Sequence, residues 1–186
     1  MRGFEENRRL VLKEIETSLG LISPAEFEVF LEELQKKRRI LVVAVGRVLI
    51  SMKAWVKRLC HLDLDINFVG SETEKPIGGE DLLIVASSSG ESIFPVGVAK
   101  IAREKGASII YIGCSPESTA AKLADKKLYL AGRTKLVKSD EYNSAQPMST
   151  LFEQQLYLLG DIVALCLMNI KNMDEQDLKK RHANLE

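Results

Sequence analysis

The run Leu82-Leu83-Ile84-Val85-Ala86-Ser87-Ser88-Ser89-Gly90-Glu91-Ser92 carries the strongest structural signal in this 186-residue chain. Five small or apolar residues follow the turn-forming Gly78-Gly79-Glu80-Asp81 and run directly into a Ser/Gly turn. A continuous apolar run bounded in this way is the pattern of a strand buried on both faces. Residues 92–105 then read as a helix. A sharp turn onto a helix leaves backbone N–H groups free at the helix start, and the hydroxyls of Ser87, Ser88, Ser89 and Ser92 crowd the same point. Such a corner suits a phosphate group. The same residues would equally serve an ordinary strand–turn–helix corner in which the serines only cap the helix.

Outward from this run, strands and helices alternate. Upstream, residues 40–45 (Ile-Leu-Val-Val-Ala-Val) form a second apolar strand, closed by Gly46-Arg47. Residues 48–61 read as a helix, and 64–69 alternate apolar and polar in the manner of a strand. Two helices precede them, over 4–19 and from Ser23-Pro24 onward, where serine suits the cap and proline the first turn. Downstream come a strand at 107–112, a short helix at 118–124 and a short strand at 127–130. A polar, irregular stretch at 133–146 leads to a long apolar helix at 148–170 and a charged tail. Alternation of this kind marks a doubly wound α/β domain, a parallel sheet covered on both faces. Ligands bind such folds beyond the C-terminal strand ends, near the point where strand order reverses. Two strand ends carry suggestive residues, Gly46-Arg47 and the Ser87–Ser92 turn. No GxGxxG is present, so the dinucleotide fingerprint is absent.

Composition narrows the partners. Lys and Arg total 26, as do Asp and Glu, for a formal charge of zero. No basic footprint points to nucleic acid or an anionic membrane. The basic runs at 36–39 and 179–181 fall near expected helix C-termini, where positive charge is favourable anyway. Cys60, Cys114 and Cys166 have no ligand spacing, which argues against a metal site and for buried free thiols in a reducing cytoplasm. The N-terminus lacks the apolar core of a signal peptide. The apolar run 156–170 is short for a membrane span and contains Asp161, so it reads as a buried helix or a subunit interface.

Val45-Gly46-Arg47, His61-Leu62, the Ser87–Ser92 motif, Gln146-Pro147-Met148-Ser149-Thr150-Leu151-Phe152-Glu153 and Lys180-Arg181-His182-Ala183-Asn184-Leu185 occur in that order. Together they resemble the sugar isomerase (SIS) domain and, within it, the 6-phospho-3-hexuloisomerases. The resemblance implies a flavodoxin-like α/β fold, with five parallel strands flanked by helices. It implies one SIS domain over 1–186, with N-terminal helices in 4–38 and a tail at 172–186 that packs on a neighbouring subunit of a cytoplasmic homotetramer. The implied reaction interconverts D-arabino-3-hexulose 6-phosphate and fructose 6-phosphate through a 2,3-enediol, within the ribulose monophosphate pathway. It needs no cofactor or metal, and its only small-molecule partner is a sugar phosphate.

Residue by residue, the resemblance assigns the phosphate to Ser87, Ser89 and Ser92 with the backbone around Gly90, while Glu91 would face away. Arg47 would meet a substrate oxygen or the enediolate. Glu153 is the candidate base, a role open to a carboxylate tuned by burial. It would also suit a plain first-turn position, and Thr150 to Glu153 has the spacing of a capping box. His61 and His182 could each relay protons between substrate oxygens. His61 would equally serve as a charge at a helix C-terminus, and His182 acts only if the tail docks into a site. One departure stands out. The family usually reads Gly-Arg-Ser-Gly after the first strand, and this chain has Gly46-Arg47-Val48-Leu49. A lost hydrogen bond to a charged group costs about 1.5–3 kcal/mol, or roughly ten- to a hundredfold in affinity. Three activities stay open: this isomerase, an isomerase of another sugar phosphate, or a non-catalytic sugar-phosphate-binding module.

Overall fold

Strand β3 (Leu82–Ala86) is the middle of the sheet, and all five of its residues are buried. The computed structural model describes residues 3–36, 38–134 and 142–185. Around β3 lie β1 (Ile40–Val43), β2 (Ile66–Phe68), β4 (Ser108–Gly113) and β5 (Lys126–Tyr129), in the order β2-β1-β3-β4-β5. Every pairing is parallel; Ile40 sits opposite Leu82 and Val85 opposite Tyr111. The expected five-stranded, flavodoxin-like α/β sheet is therefore the observed one.

Side chains alternate across the sheet because successive strand residues point to opposite faces. Ile40, Val42, Leu82, Ile84, Ala86, Ile110 and Ile112 enter one core. That core is covered by α2 (Pro24–Gln35), α3 (Gly46–His61) and α6 (Thr150–Lys171). Leu41, Val43, Leu83, Val85, Ile109 and Tyr111 enter the other, under α4 (Ile93–Glu104) and α5 (Thr119–Leu123). Helix α1 (Phe4–Leu19) rests on α6, and α7 (Glu175–Lys180) is a short turn of helix in the tail.

Boundaries moved where local chemistry overrode the apolar run. Strand β1 stops at Val43 rather than 45, and α3 begins at Gly46 rather than 48. Gly46 has φ +60, a left-handed conformation that glycine adopts without strain, and it sits where the extended backbone of Val45 passes into α3. Within the irregular stretch 133–146, residues 135–141 lie outside the described set. Just after them, Glu14 of α1 accepts hydrogen bonds from the Ser144 hydroxyl at 2.7 Å, the Ala145 N–H at 2.7 Å and the Gln146 amide at 3.1 Å. These fix the approach to α6.

Helix α6 is long and apolar enough to cross a membrane by length and composition, yet 56% of its most apolar window is buried against the rest of the protein. Its inner face carries Phe152, Leu156, Leu159, Val163 and Leu167. Its outer face leaves Tyr157, Leu158, Ile162 and Leu165 exposed. Against α3 the packing is close: the Trp55 indole N–H donates to the Leu156 carbonyl, and Gly160 lies against the same ring. This seam sets the distance between the first turns of α3 and α6.

Candidate active site

The serine turn emerges from β3 and is stitched to its neighbour. The Ser87 N–H donates to the Ile112 carbonyl, and the Cys114 N–H to the Ser88 carbonyl, each at 3.0 Å. The Tyr111 hydroxyl donates from beneath to the Ser87 carbonyl at 2.9 Å, and burial pushes its phenol well above the usual range. Gly90 has φ +66, and a Cβ there would lie 2.1 Å from Ser118 Oγ, so only glycine fits. The Ser87 hydroxyl accepts from the Gly90 N–H at 3.1 Å and lies 3.4 Å from the Ser92 hydroxyl. Ser89 Oγ accepts from the Glu91 N–H at 3.3 Å.

A capping-only role does not account for Ser92. It occupies the N-cap of α4 but makes no side-chain cap bond. Ser23 and Ser118, in the same position of α2 and α5, do cap. The Ser92 hydroxyl instead joins Ser87 at the mouth of the turn. Pro95 has no N–H, so Ile93 and Phe94 supply the open donors of the first turn. Glu91 faces away as expected: its Oε1 accepts from the Thr119 N–H at 2.8 Å and caps α5.

Across from the serines stand the N-termini of α3 and α6. Arg47 Nε donates to Glu153 Oε2 at 2.5 Å, and Ser149 Oγ donates to Oε1 at 2.9 Å. The Ser51 hydroxyl donates to the Glu153 carbonyl at 2.9 Å, tying α3 to α6. Glu153 is 7% exposed, whereas the Arg47 side chain is 69% exposed. The hydrogen bond to Glu153, then its charge, pushes the Arg47 guanidinium above its usual range. The capping-box reading is corrected here. Helix α6 starts at Thr150, and the Glu153 carboxylate bonds Arg47 and Ser149 rather than a cap N–H.

Arg47, Ser87, Ser89, Ser92, Ser149 and Glu153 thus surround one cavity of about 100 Å³ at the C-terminal ends of β1 and β3. Those strands are sequence-separated neighbours, the point where strand order reverses. Val48 contributes to the same wall and belongs to the core below. Leu49 packs on that core too, and its N–H is engaged by the Val45 carbonyl at 3.3 Å.

The histidines go elsewhere. Their rings stack together, His61 against His182, with centroids 5.2 Å apart. They border a hollow shared with Lys57, Arg58, Tyr157 and Asp161. Arg47 and His61 mark opposite ends of α3, roughly 21 Å apart along the axis. Within one chain the two histidines therefore lie at the far end of α3 from Arg47 and Glu153. In the tail, Arg181 Nε lies 3.5 Å from Asp63 Oδ1. A wider hollow of about 710 Å³ beyond β4 and β5, lined by Cys114, Tyr129 and Tyr142 among others, holds none of the anticipated residues. Among the described residues, no group of three or more His, Cys, Asp or Glu side chains could hold a metal ion. Ser149, Ser51 and Tyr111 were not anticipated. Ser149 had a signal in its place just before Thr150-Leu151-Phe152-Glu153; Tyr111, inside an apolar strand, had none.

Comparison with known proteins agrees with this fold. The SIS domain family model matches residues 33–158. The 3-hexulose-6-phosphate isomerase of Bacillus subtilis is 31% identical over 176 residues, 95% of each chain. That of Mycobacterium gastri is 30% identical, over 97% of this chain and 90% of its own. A crystal structure from Methanococcus jannaschii, described as inferring a molecular function of 3-hexulose-6-phosphate isomerase, superimposes with a TM-score of 0.83 at 27% identity, covering 97% of this chain and 99% of that one. Since the matched region takes in every strand of the sheet and both walls of the cavity, the chain belongs to the SIS domain family.

Proposed function

We propose that the protein is a sugar-phosphate isomerase that interconverts D-arabino-3-hexulose 6-phosphate and fructose 6-phosphate. The observation that carries this reading is the buried Glu153 carboxylate, paired with Arg47 and facing the Ser87 and Ser92 hydroxyls across one small cavity. The cavity has room for a phosphate head. With the phosphate on the serine turn and the α4 N-terminus, the sugar carbons extend over the mouth toward Arg47 and Glu153.

The chemistry then balances without a cofactor. Glu153 removes the hydrogen on C2 as a proton, and the C–H electron pair becomes the C2=C3 bond. The C3 oxygen takes a proton to give the 2,3-enediol. The O2 proton leaves, the C2 carbonyl forms, and the proton held on Glu153 passes to C3. Arg47 offsets the charge on the enediolate as it develops. Proton exchange between O2 and O3 could draw on His61 or His182 only if a second subunit brings its histidine pair to the mouth. A homotetramer would do so, with the C-terminal tail at the contact. The exposed Tyr157, Leu158, Ile162 and Leu165 of α6 support such an interface. We read the enzyme as cytoplasmic and as part of the ribulose monophosphate pathway.

The deciding experiment is a coupled assay with formaldehyde, ribulose 5-phosphate and a hexulose-phosphate synthase, following fructose 6-phosphate. Formation at a rate set by this protein is expected. Glu153→Gln should lower kcat by about 10²–10⁴-fold, the usual worth of a general base, while sugar phosphates still raise its Tm. Undiminished turnover would remove Glu153 from the mechanism. One observation favours a second reading: Val48 places an apolar wall where the family usually has serine. If no fructose 6-phosphate forms but sugar phosphates still stabilise the protein, the substrate is another sugar phosphate or the protein only binds one.

A further inference from the structure

We propose that Ser149 is a positioning residue for the base: its hydroxyl anchors Glu153 Oε1, so that Oε2, the oxygen under Arg47, is the one that carries the proton. This rests on the isomerase reading above and assigns a division of labour within the same carboxylate.

Three observations converge on it. Ser149 occupies the N-cap of α6 but does not cap it. Ser23, Ser118 and Asp174 occupy the same position of α2, α5 and α7, and all three side chains accept a backbone N–H there. Their backbones are extended, with ψ of 119, 161 and 178, as capping requires, whereas Ser149 has φ −99 and ψ 20. The preceding residue, Met148, has φ +55, a left-handed conformation uncommon for a long side chain. Backbone departures of this kind gather at functional sites. Here they turn one hydroxyl away from the helix end and onto a carboxylate 2.9 Å away.

The two carboxylate oxygens are consequently unlike. Oε1 is held by a buried hydroxyl that packing keeps in place. Oε2 is held by Arg47, whose side chain is largely exposed and free to pass to a substrate oxygen. When it does, Oε2 is uncovered toward the ligand while Oε1 stays anchored, and the carboxylate cannot rotate. The C2–H bond breaks as the O–H bond on Oε2 forms, and the same oxygen returns the proton to C3.

The test is Ser149→Ala with Ser149→Thr as rescue. Ser149→Ala should lower kcat roughly ten- to a hundredfold, the range for a hydrogen bond to a charged group, with KM within about twofold, because the phosphate corner is untouched. Ser149→Thr should recover most of the rate. An unchanged kcat, or a loss that falls on KM, overturns the proposal. A second measurement is independent of turnover: urea unfolding of wild type, Ser149→Ala, Glu153→Ala and the double variant. The Ser149→Ala effect should vanish in the Glu153→Ala background; additive effects would show that the hydroxyl does not hold the carboxylate. If the wild type converts no hexulose phosphate, the isomerase reading falls, and the unfolding cycle still decides whether Ser149 fixes Glu153.

Discussion

Replacing Gly160 by alanine tests whether the seam between α3 and α6 is as close as the site requires. A Cβ at this position would lie 2.3 Å from Trp55 Cδ1 and Nε1 and 2.9 Å from Cε2. The indole cannot step aside. It is buried, its N–H donates to the Leu156 carbonyl, and its ring packs on Phe30 with centroids 5.9 Å apart. The helices must therefore part by roughly 1.2 Å to regain ordinary carbon contact near 3.5 Å. Overpacking of this kind costs about 1–3 kcal/mol, and a contact this short belongs in the upper part of that range. Against it stands a gain of about 1 kcal/mol from exchanging glycine for alanine inside a helix. The net loss is about 1–2 kcal/mol, which for a chain of this size lowers Tm by roughly 2–8 °C. Activity should fall further than stability. Arg47 and Glu153 project from the first turns of the two helices being separated, and a displacement of about 1 Å in a reacting group can cost as much as a hundredfold. Thermal unfolding followed by circular dichroism, with the coupled assay beside it, measures both. A Tm equal to or above wild type would refute the argument, since helix propensity would then outweigh a steric conflict that the packing declares unavoidable.

Two further outcomes test the remaining walls of the structure. Val48→Ser restores a hydroxyl to the cavity wall, so KM for the sugar phosphate should fall about ten- to a hundredfold, at the expense of about 1 kcal/mol of core packing; an unchanged KM would show that position 48 does not reach the phosphate. At the opposite end of β3, the hydrogen bond from Arg39 holds the Asp81 carboxyl below its usual range; burial opposes this, and the Gly78 N–H and the Arg39 charge add to it. A depressed carboxylate contributes stability that is complete above the unfolded pKa of about 3.9 and is lost as pH falls through the lower folded value. Asp81→Asn should therefore be less stable than wild type at pH 7 by urea unfolding, and the gap should narrow as pH falls below the unfolded value toward the lowered folded one; a gap that stays constant on acidification would contradict the assignment.

How far the sequence could be read depended on the range of the interaction concerned. Strand β3 and its serine turn were legible because everything that defines them lies within eleven consecutive residues: an apolar run with no polar break, a turn, and a helix start. The parallel sheet followed from repeating the same local reading along the chain. Strand ends were less secure, since Ala44-Val45 read as strand while the ladder ends at Val43 and the left-handed backbone of Gly46 opens α3. The pairing of His61 with His182 joins positions on α3 and the tail that no local pattern relates. Likewise Thr150-x-x-Glu153 has the same spacing whether the carboxylate caps a helix or meets Arg47, and the partner that decides it lies 106 residues away.

The two readings of Glu153, first-turn helix residue and proposed base, are physically compatible. Three helix N-termini, those of α3, α4 and α6, converge on one cavity because β1 and β3 are neighbours in the sheet while the chain between them detours through β2. Each brings open N–H groups and a partial positive charge. Among the residues that line the cavity, Arg47 is the one formal cation and Glu153 the one formal anion, so they cancel before any ligand arrives. On the proposed reading, a phosphate at the serine turn would meet helix ends and hydroxyls rather than a cluster of lysines and arginines. A negative charge in the first turn of α6 is favourable for the helix whether or not it does chemistry. The same position that makes Glu153 unremarkable as a helix residue lets a buried carboxylate persist in the cavity wall beside Arg47, and under the proposed function Arg47 would be the group that passes from Glu153 to the substrate.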